Sequence, residues 1–240
     1  MDSDSKKRIL VVDDSRTVTN SIAKVLNSAD LYTVLIAHTP REATNLVRQH
    51  GLPHLALVDL NLGRRQLDGV ELCRRLRQFS DLPIMMLSNG DTEKTLVEGL
   101  QQYAEDYILK PFSALELKVR VWHVLQRAGE YGYSLDPLVR VDHRLQVSFP
   151  LKKAIVGGDA VQLTPTETKV LYILMKHAGR TVRTDFLLRR IWPTDNAYED
   201  RIHPHIYRLR RKIEQDPKDP AYIVADWGNG YSFPTARMLS

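Results

Sequence analysis

The chain has 240 residues, room for one large domain or two ordinary ones, and 43% hydrophobic side chains, enough for real cores. No apolar run approaches a membrane span, the Met1–Arg8 start is too polar for a signal peptide, and a single cysteine, Cys73, excludes an internal disulfide framework and fits a reducing compartment. The net charge of +5 is uneven: residues 1–128 carry 17 basic and 16 acidic side chains, the remainder 17 and 13.

Residues 8–127 alternate short aliphatic strands with helical patterns. Strands are predicted near 8–13, 33–37, 54–59, 83–88 and 105–109, and helices near 15–28, 40–50, 68–79, 92–102 and 112–127. Runs such as Ile9–Val12, Leu55–Val58 and Ile84–Leu87 lack polar alternation, as strands covered on both faces do. The alternation predicts an α/β fold with a doubly wound parallel sheet and right-handed crossovers. Cys73 falls in the helical pattern Val70–Leu76 and reads as a small packed hydrophobe.

Each of four strands ends in chemistry: Asp13-Asp14, Asp59, Ser88 and Lys110. The carboxyl edge of a parallel sheet is where α/β folds place their sites, so these groups should converge there. Acids packed so closely repel, and a divalent cation relieves them. Asp59 is the most central acid, placed to accept a phosphoryl group, with Asp13 and Asp14 flanking it to hold Mg²⁺ and the Asn61 backbone carbonyl as a further ligand. The Lys110 ammonium would neutralise the phosphoryl oxygens. Asp13-Asp14 could instead cap a helix, but the register with Asp59, Ser88 and Lys110 favours the metal site. Ser88 can donate to a phosphoryl oxygen and vacate space for Tyr107 to turn inward; Tyr107 also reads as a plain sheet-edge aromatic.

Residues 128–136 lose the periodicity and read as a linker. Beyond it, Leu138–Val141 and Leu145–Phe149 predict antiparallel strands, and Gly157-Gly158 a turn before Ala160–Leu163. Thr164-Pro165-Thr166-Glu167 is a capping box opening a helix that runs to Gly179. A second helix follows Thr184 and ends near Trp192-Pro193, a third spans roughly 202–215, and Tyr222–Phe233 reads as a hairpin turning at Gly228-Asn229-Gly230. Three helices and a hairpin describe an α+β winged helix-turn-helix. Residues 180–212 hold nine basic against four acidic side chains, either a solvated face or the footprint of a polyanion. On the third helix Arg201, His205, Arg208 and Arg211 share one face, opposite Ile202, Ile206, Leu209 and Ile213. The second helix of such a motif reads the major groove.

Leu10–Asp14, Leu57–Leu60, Leu87-Ser88, Asp106–Phe112, Leu163–Glu167, Arg208–Lys212 and Gly228–Tyr231, in that order and spacing, resemble the OmpR/PhoB family of response regulators. The resemblance covers nearly the whole chain: a CheY-like receiver in 1–127, a linker in 128–136 and a winged-helix DNA-binding domain in 137–240. It implies a cytoplasmic two-component transcription factor, not a turnover enzyme. A sensor histidine kinase would phosphorylate Asp59 with Mg²⁺ bound directly by Asp14, with Asp13 in its outer shell and Lys110 binding the phosphoryl group. Lys110-Pro111 matches the family's cis peptide. The receivers would pair into a homodimer through a 92–127 face that includes Asp106 and Arg120, and promoter DNA and RNA polymerase would be further partners. Arg208 matches a base-contacting position, and His205 and Arg210 match backbone-contacting ones.

The chain departs from the family in several places. Thr95 and Leu96 replace an acid and a base of the dimer face. The loop Asn61–Gly69 is longer, lacks the customary proline, and carries Arg64-Arg65. Pro204 replaces an aliphatic residue, His203 an aspartate, and Trp227 stands where a wing arginine is common. Pro204 implies that the reading helix starts no earlier than about Arg201. A phosphorylation-independent regulator of the same fold is one alternative. A haloacid-dehalogenase-type phosphatase is another, but that chemistry wants two aspartates separated by one residue, whereas Asp13 and Asp14 are adjacent.

Overall fold

A computed structural model describes residues 6–28, 30–62, 68–89, 104–193 and 199–235. The chain divides into two compact units, Met1–Arg77 with Leu82–Gly129, and Gln78–Asp81 with Glu130–Ser240.

In the first unit, β1 (Lys7–Val12), β2 (Tyr32–Ala37), β3 (Leu55–Asp59), β4 (Ile84–Ser88) and β5 (Asp106–Leu109) form a parallel sheet in the order β2-β1-β3-β4-β5. The helices are α1 (Arg16–Asn27), α2 (Pro40–His50), α3 (Asp68–Phe79) and α4 (Ala114–Ala128). Every residue of β3 and β4 is buried, which explains their unbroken apolar sequence. One core cluster joins Ile9, Leu57, Met85 and Ile108 of the sheet to Ile22 of α1 and Val121 of α4. Ser15, Thr39 and Ser113 cap α1, α2 and α4, each side-chain oxygen accepting a backbone N–H. The helix expected at 92–102 lies outside the described residues.

The winding reverses between β1 and β3, and an open α/β sheet has its crevice at such a switch point. Val12 pairs with Val58, so Asp13 and Asp59 leave their strands side by side.

In the second unit, β6 (Val139–Arg140), β7 (Leu145–Ser148), β8 (Lys153–Val156) and β9 (Asp159–Gln162) form an antiparallel sheet in sequence order. Helices α5 (Pro165–Lys176), α6 (Thr184–Ile191) and α7 (His203–Ile213) follow, with β10 (Val182–Arg183) before α6 and a 3₁₀ turn, Glu199–Arg201, before α7. The hairpin β11 (Val224–Asp226) and β12 (Gly230–Ser232) completes a second sheet, ordered β10-β12-β11. Gly228 turns the hairpin at φ +77. Gly230 lets β10 approach: a Cβ there would lie 2.1 Å from the Val182 carbonyl oxygen.

Three expectations need correction. Helix α5 stops at Lys176, short of Gly179, because the Gly179 amide leaves the helix for the Phe233 carbonyl. Strands β8 and β10 were not expected; both are short, and their pairing partners, not their composition, define them. Residues 131–135 are not a free linker. Tyr133 and Leu135 are buried, the Tyr133 ring lies 5.7 Å edge-on to Phe233, and its Oη donates to the Pro234 carbonyl at 2.8 Å. Side chains this apolar pack on the second unit rather than stay in water.

Candidate functional site

Asp13 and Asp59 are both buried at the switch point, and the Lys110 ammonium sits between them. Its Nζ lies 2.7 Å from Asp13 Oδ2 and 3.0 Å from Asp59 Oδ2. The Ser15 amide donates to Asp13 Oδ1 at 2.9 Å, and the Asn61 amide to Asp59 Oδ1 at 3.5 Å. Asp14 is exposed, yet one carboxylate oxygen from each of Asp13, Asp14 and Asp59 falls within 4.8 Å of the others. Ser15 itself caps α1, which leaves both acids to the pocket. Lys110 follows β5, donates its amide to the Ser88 carbonyl at 2.7 Å, and precedes Pro111 through a cis peptide bond.

The electrostatics are unbalanced. Burial pushes the Asp59 carboxyl above the usual carboxylate range; Lys110 draws it down only in part, and Asp13 pushes it further up. Burial also works against the Lys110 ammonium, but its contacts with Asp13 and Asp59 outweigh that and hold its pKa above the ordinary lysine value. One ammonium thus serves two buried carboxylates, with a third close by. Hard oxygen donors short of positive charge fit a divalent cation such as Mg²⁺.

The expected switch residues lie on the two strands that lead to this pocket. Ser88 ends β4 and is fully buried; Tyr107 in β5 is 44% exposed. Asp106 accepts from the Tyr107 amide at 2.8 Å and from Arg120 Nη1 at 3.2 Å, and Arg120 Nε donates to Glu116 at 3.0 Å. Thr95, Leu96, Arg64 and Arg65 lie outside the described residues.

In the second unit, Pro204 occupies the first turn of α7, where a missing amide costs no hydrogen bond. Ile202, Ile206, Leu209 and Ile213 are buried beneath the helix. Arg201, Arg208 and Arg211 are exposed and His205 half-buried. The Arg201 guanidinium stacks 4.3 Å from the Trp192 ring centre, and Arg208 Nη2 lies 3.1 Å from His205 Nδ1. Arg210 differs from its neighbours: half-buried, it donates Nε and Nη2 to the Ile223 carbonyl at 2.9 and 2.6 Å, which turns it into the wing. His203 Nδ1 is 2.6 Å from Tyr231 Oη. Trp227, 92% exposed, stands at the hairpin turn beside a groove of about 790 Å³ lined by Tyr207, Arg210 and Tyr231 among others.

Known families match both units. The response regulator receiver domain matches residues 9–121, and the C-terminal domain of transcriptional regulatory proteins matches residues 158–233. The chain belongs to the OmpR/PhoB family of response regulators. Solved relatives include the OmpR/PhoB homologue DrrB from Thermotoga maritima, 25% identical over 96% of this chain and 100% of that chain (TM-score 0.44). A response regulator from Chloroflexus aurantiacus is 33% identical over 51% of this chain and all of its own (TM-score 0.46). An N-terminal domain from a three-domain response regulator of Carboxydothermus hydrogenoformans is 34% identical over 50% and 95% (TM-score 0.45). As a member of the OmpR/PhoB family, the chain is a two-component transcription regulator; its receiver domain implies a kinase partner and its C-terminal domain implies DNA. Among the described residues no helix is long and apolar enough to cross a membrane.

Sequence reasoning missed two supports of these sites. A Cβ on Gly69, at the start of α3, would lie 1.9 Å from the Asp59 carbonyl oxygen, so only glycine lets α3 approach the acidic strand end. Asp-Gly opening a helix directly after the loop that follows Asp59 was the available signal. Glu214, just past α7, accepts from the amides of Ala221, Tyr222 and Ile223 at 2.9, 3.0 and 2.7 Å. Arg210 holds the Ile223 carbonyl, so α7 and its C-cap residue together hold both the N–H and the C=O of Ile223.

Proposed function

We propose that this response regulator is switched by phosphorylation of Asp59 and that the switch governs how its winged helix binds promoter DNA. The observation that carries this reading is the Asp13–Lys110–Asp59 ionic chain at the sheet's switch point. An Asp59 carboxylate oxygen attacks the phosphorus of a phosphohistidine on a sensor kinase. The P–O bond forms as the P–N bond breaks, and the imidazole leaves. Asp14 and Asp59, with the Asn61 backbone carbonyl, would hold Mg²⁺, with Asp13 in its outer shell; the bound ion supplies charge neutralisation to the transferring group. Lys110 exchanges a carboxylate contact for the phosphoryl oxygens. Ser88 donates to the phosphoryl group, and Tyr107 turns toward the space that Ser88 vacates.

The receiver, residues 1–127, then pairs with a second copy through its 92–127 face, including Asp106 and Arg120. In the effector, residues 137–240, Arg208 reads a base edge. Arg201, His205, Arg211 and the exposed Trp227 contact the DNA backbone, and Arg210 braces the wing next to it. The transfer is made to the protein's own aspartate without turnover, and the setting is cytoplasmic, with RNA polymerase as a further partner.

DNA binding at stated salt by wild type and Asp59→Asn, with and without a small phosphodonor and Mg²⁺, tests the reading. A phosphodonor-dependent gain is expected for wild type alone; equal gains in both proteins would remove Asp59 from the switch.

A further inference from the structure

Glu167 is accounted for so far as the reciprocal partner of a helix cap, and that role uses only half of it. Its Oε2 accepts from the Thr164 amide at 2.8 Å and from Lys212 Nζ at 2.7 Å. Among the described residues its Oε1 has no hydrogen-bond partner, although the side chain is only 1% exposed. Buried carboxylate oxygens left unpartnered are costly. The group is nevertheless held ionised: burial works against the charge, but Lys212 and the Thr164 amide outweigh it and lower its pKa. A second cation faces the idle oxygen: Arg208 Nε lies 4.0 Å from Oε1. The same guanidinium places Nη2 3.1 Å from His205 Nδ1. Arg208 therefore stands between a half-buried imidazole that occupies one of its outer nitrogens and a buried carboxylate that faces its inner one.

We propose that Glu167 is the positioning residue of the reading arginine: with DNA present, Arg208 Nε closes onto Glu167 Oε1, and the Nη1–Nη2 edge, released from His205, is aimed at a base. A guanidinium anchored through Nε keeps two parallel N–H donors for bidentate contact with guanine O6 and N7. Without the anchor, the long side chain must be ordered at the moment of binding. This inference rests on Arg208 as base reader.

Glu167→Gln isolates the idea, because glutamine also completes a capping box while it removes the charge and turns the idle acceptor into an amide donor. Lys212→Gln removes the other ion-pair partner and leaves the Glu167 carboxyl and its contact with the Thr164 amide in place. Duplexes selected from a randomised library by the wild-type chain serve as probes, each base pair then being varied in turn, with thermal melting to confirm that the cap holds. Glu167→Gln should lose about tenfold, 1.4 kcal/mol, of preference at the one base pair that Arg208→Ala also affects, with affinity for unrelated duplex changed far less. Lys212→Gln should leave that preference intact. In an Arg208→Ala background, Glu167→Gln should have no further effect on preference. A uniform loss of affinity with preference intact, or an equal effect in both backgrounds, would overturn the positioning role while leaving Arg208 as reader. If Arg208→Ala itself left preference unchanged, the reader assignment would fall and this inference with it.

Discussion

The Glu214 clamp gives the most quantitative prediction. In Glu214→Ala three backbone amides lose their acceptor. Ala221 is exposed and water can serve it, but Tyr222 and Ile223 are buried at 3% and 0% exposure. An unsatisfied buried amide costs about 1–3 kcal/mol, so two orphans cost about 4 kcal/mol. Removing an acid from a helix C-terminus returns about 0.5 kcal/mol. The net loss, about 3.5 kcal/mol, is a large share of a domain's usual 5–15 kcal/mol, roughly. Glu214→Gln keeps one acceptor oxygen and should lose about half as much. Urea unfolding in a Trp122→Phe background, followed by fluorescence of Trp192 and Trp227, reports the second unit alone, since the chain has 3 tryptophans. A loss below about 1 kcal/mol in Glu214→Ala would show that these amides are satisfied without the carboxylate, and the clamp would be refuted. At low urea the variant's DNA affinity should also fall, because the wing is no longer tied to the reading helix.

Gly69→Ala places a methyl 1.9 Å from the Asp59 carbonyl oxygen; it should cost about 3 kcal/mol, the upper end of overpacking, and slow phosphodonor labelling of Asp59. Unchanged melting and labelling would show that α3 yields freely. Lys110→Met leaves Asp13 and Asp59 without their shared cation and should lower stability by about 2 kcal/mol in chelator, less in millimolar Mg²⁺; equal stability in chelator would mean that the ammonium is not holding the pocket. His54 has its pKa lowered from 6.5 to about 4 by burial, with Arg8 and Lys7 adding repulsion, and its Nδ1 accepts from the Arg8 amide at 3.0 Å. The unfolded chain therefore takes up the proton first as pH falls. The contribution is complete above about pH 6.5, and as much as about 2 kcal/mol of it is lost on going from about pH 7 to pH 5. His54→Asn keeps an acceptor in the same place without titrating, so its stability should fall less over that range; parallel curves would exclude His54.

The first unit was legible because its information is local. Aliphatic runs ending in Asp, Ser or Lys declare both the buried strand and the edge where the chain turns to chemistry, and parallel pairing brings those ends together. The second unit was legible in its helices, whose capping box and 3.6-residue face are written in side chains. It was opaque where structure is made by the backbone. Strand β10 has two residues and exists because Gly230 admits it. Glu214 bonds amides seven to nine residues downstream, and amides leave no pattern in a sequence. The tyrosines at 131 and 133 were read through their neighbouring glycines as linker, although their rings mark a packed segment.

Two buried carboxylates show why the pocket of one unit suits an incoming cation and that of the other does not. Asp59 and Glu167 both pay desolvation as the largest influence on their ionisation, yet Asp59 ends up raised and Glu167 lowered. The difference lies in their partners. Glu167 meets an ammonium at 2.7 Å and a backbone amide at 2.8 Å, and among the described residues no second carboxylate raises its pKa. Asp59 shares its ammonium with Asp13, receives a long amide contact from Asn61, and has Asp14 within reach. A pocket with more buried negative charge than its single ammonium can match is stabilised by added positive charge, so divalent-ion affinity should fall when Asp13 is neutralised to Asn even though Asp14 and Asp59 remain. Because Asn can still accept from the Ser15 amide, that turn is kept, while the negative charge and its Lys110 contact are removed together. Magnesium affinity unchanged in Asp13→Asn would mean that the deficit is not what draws the ion.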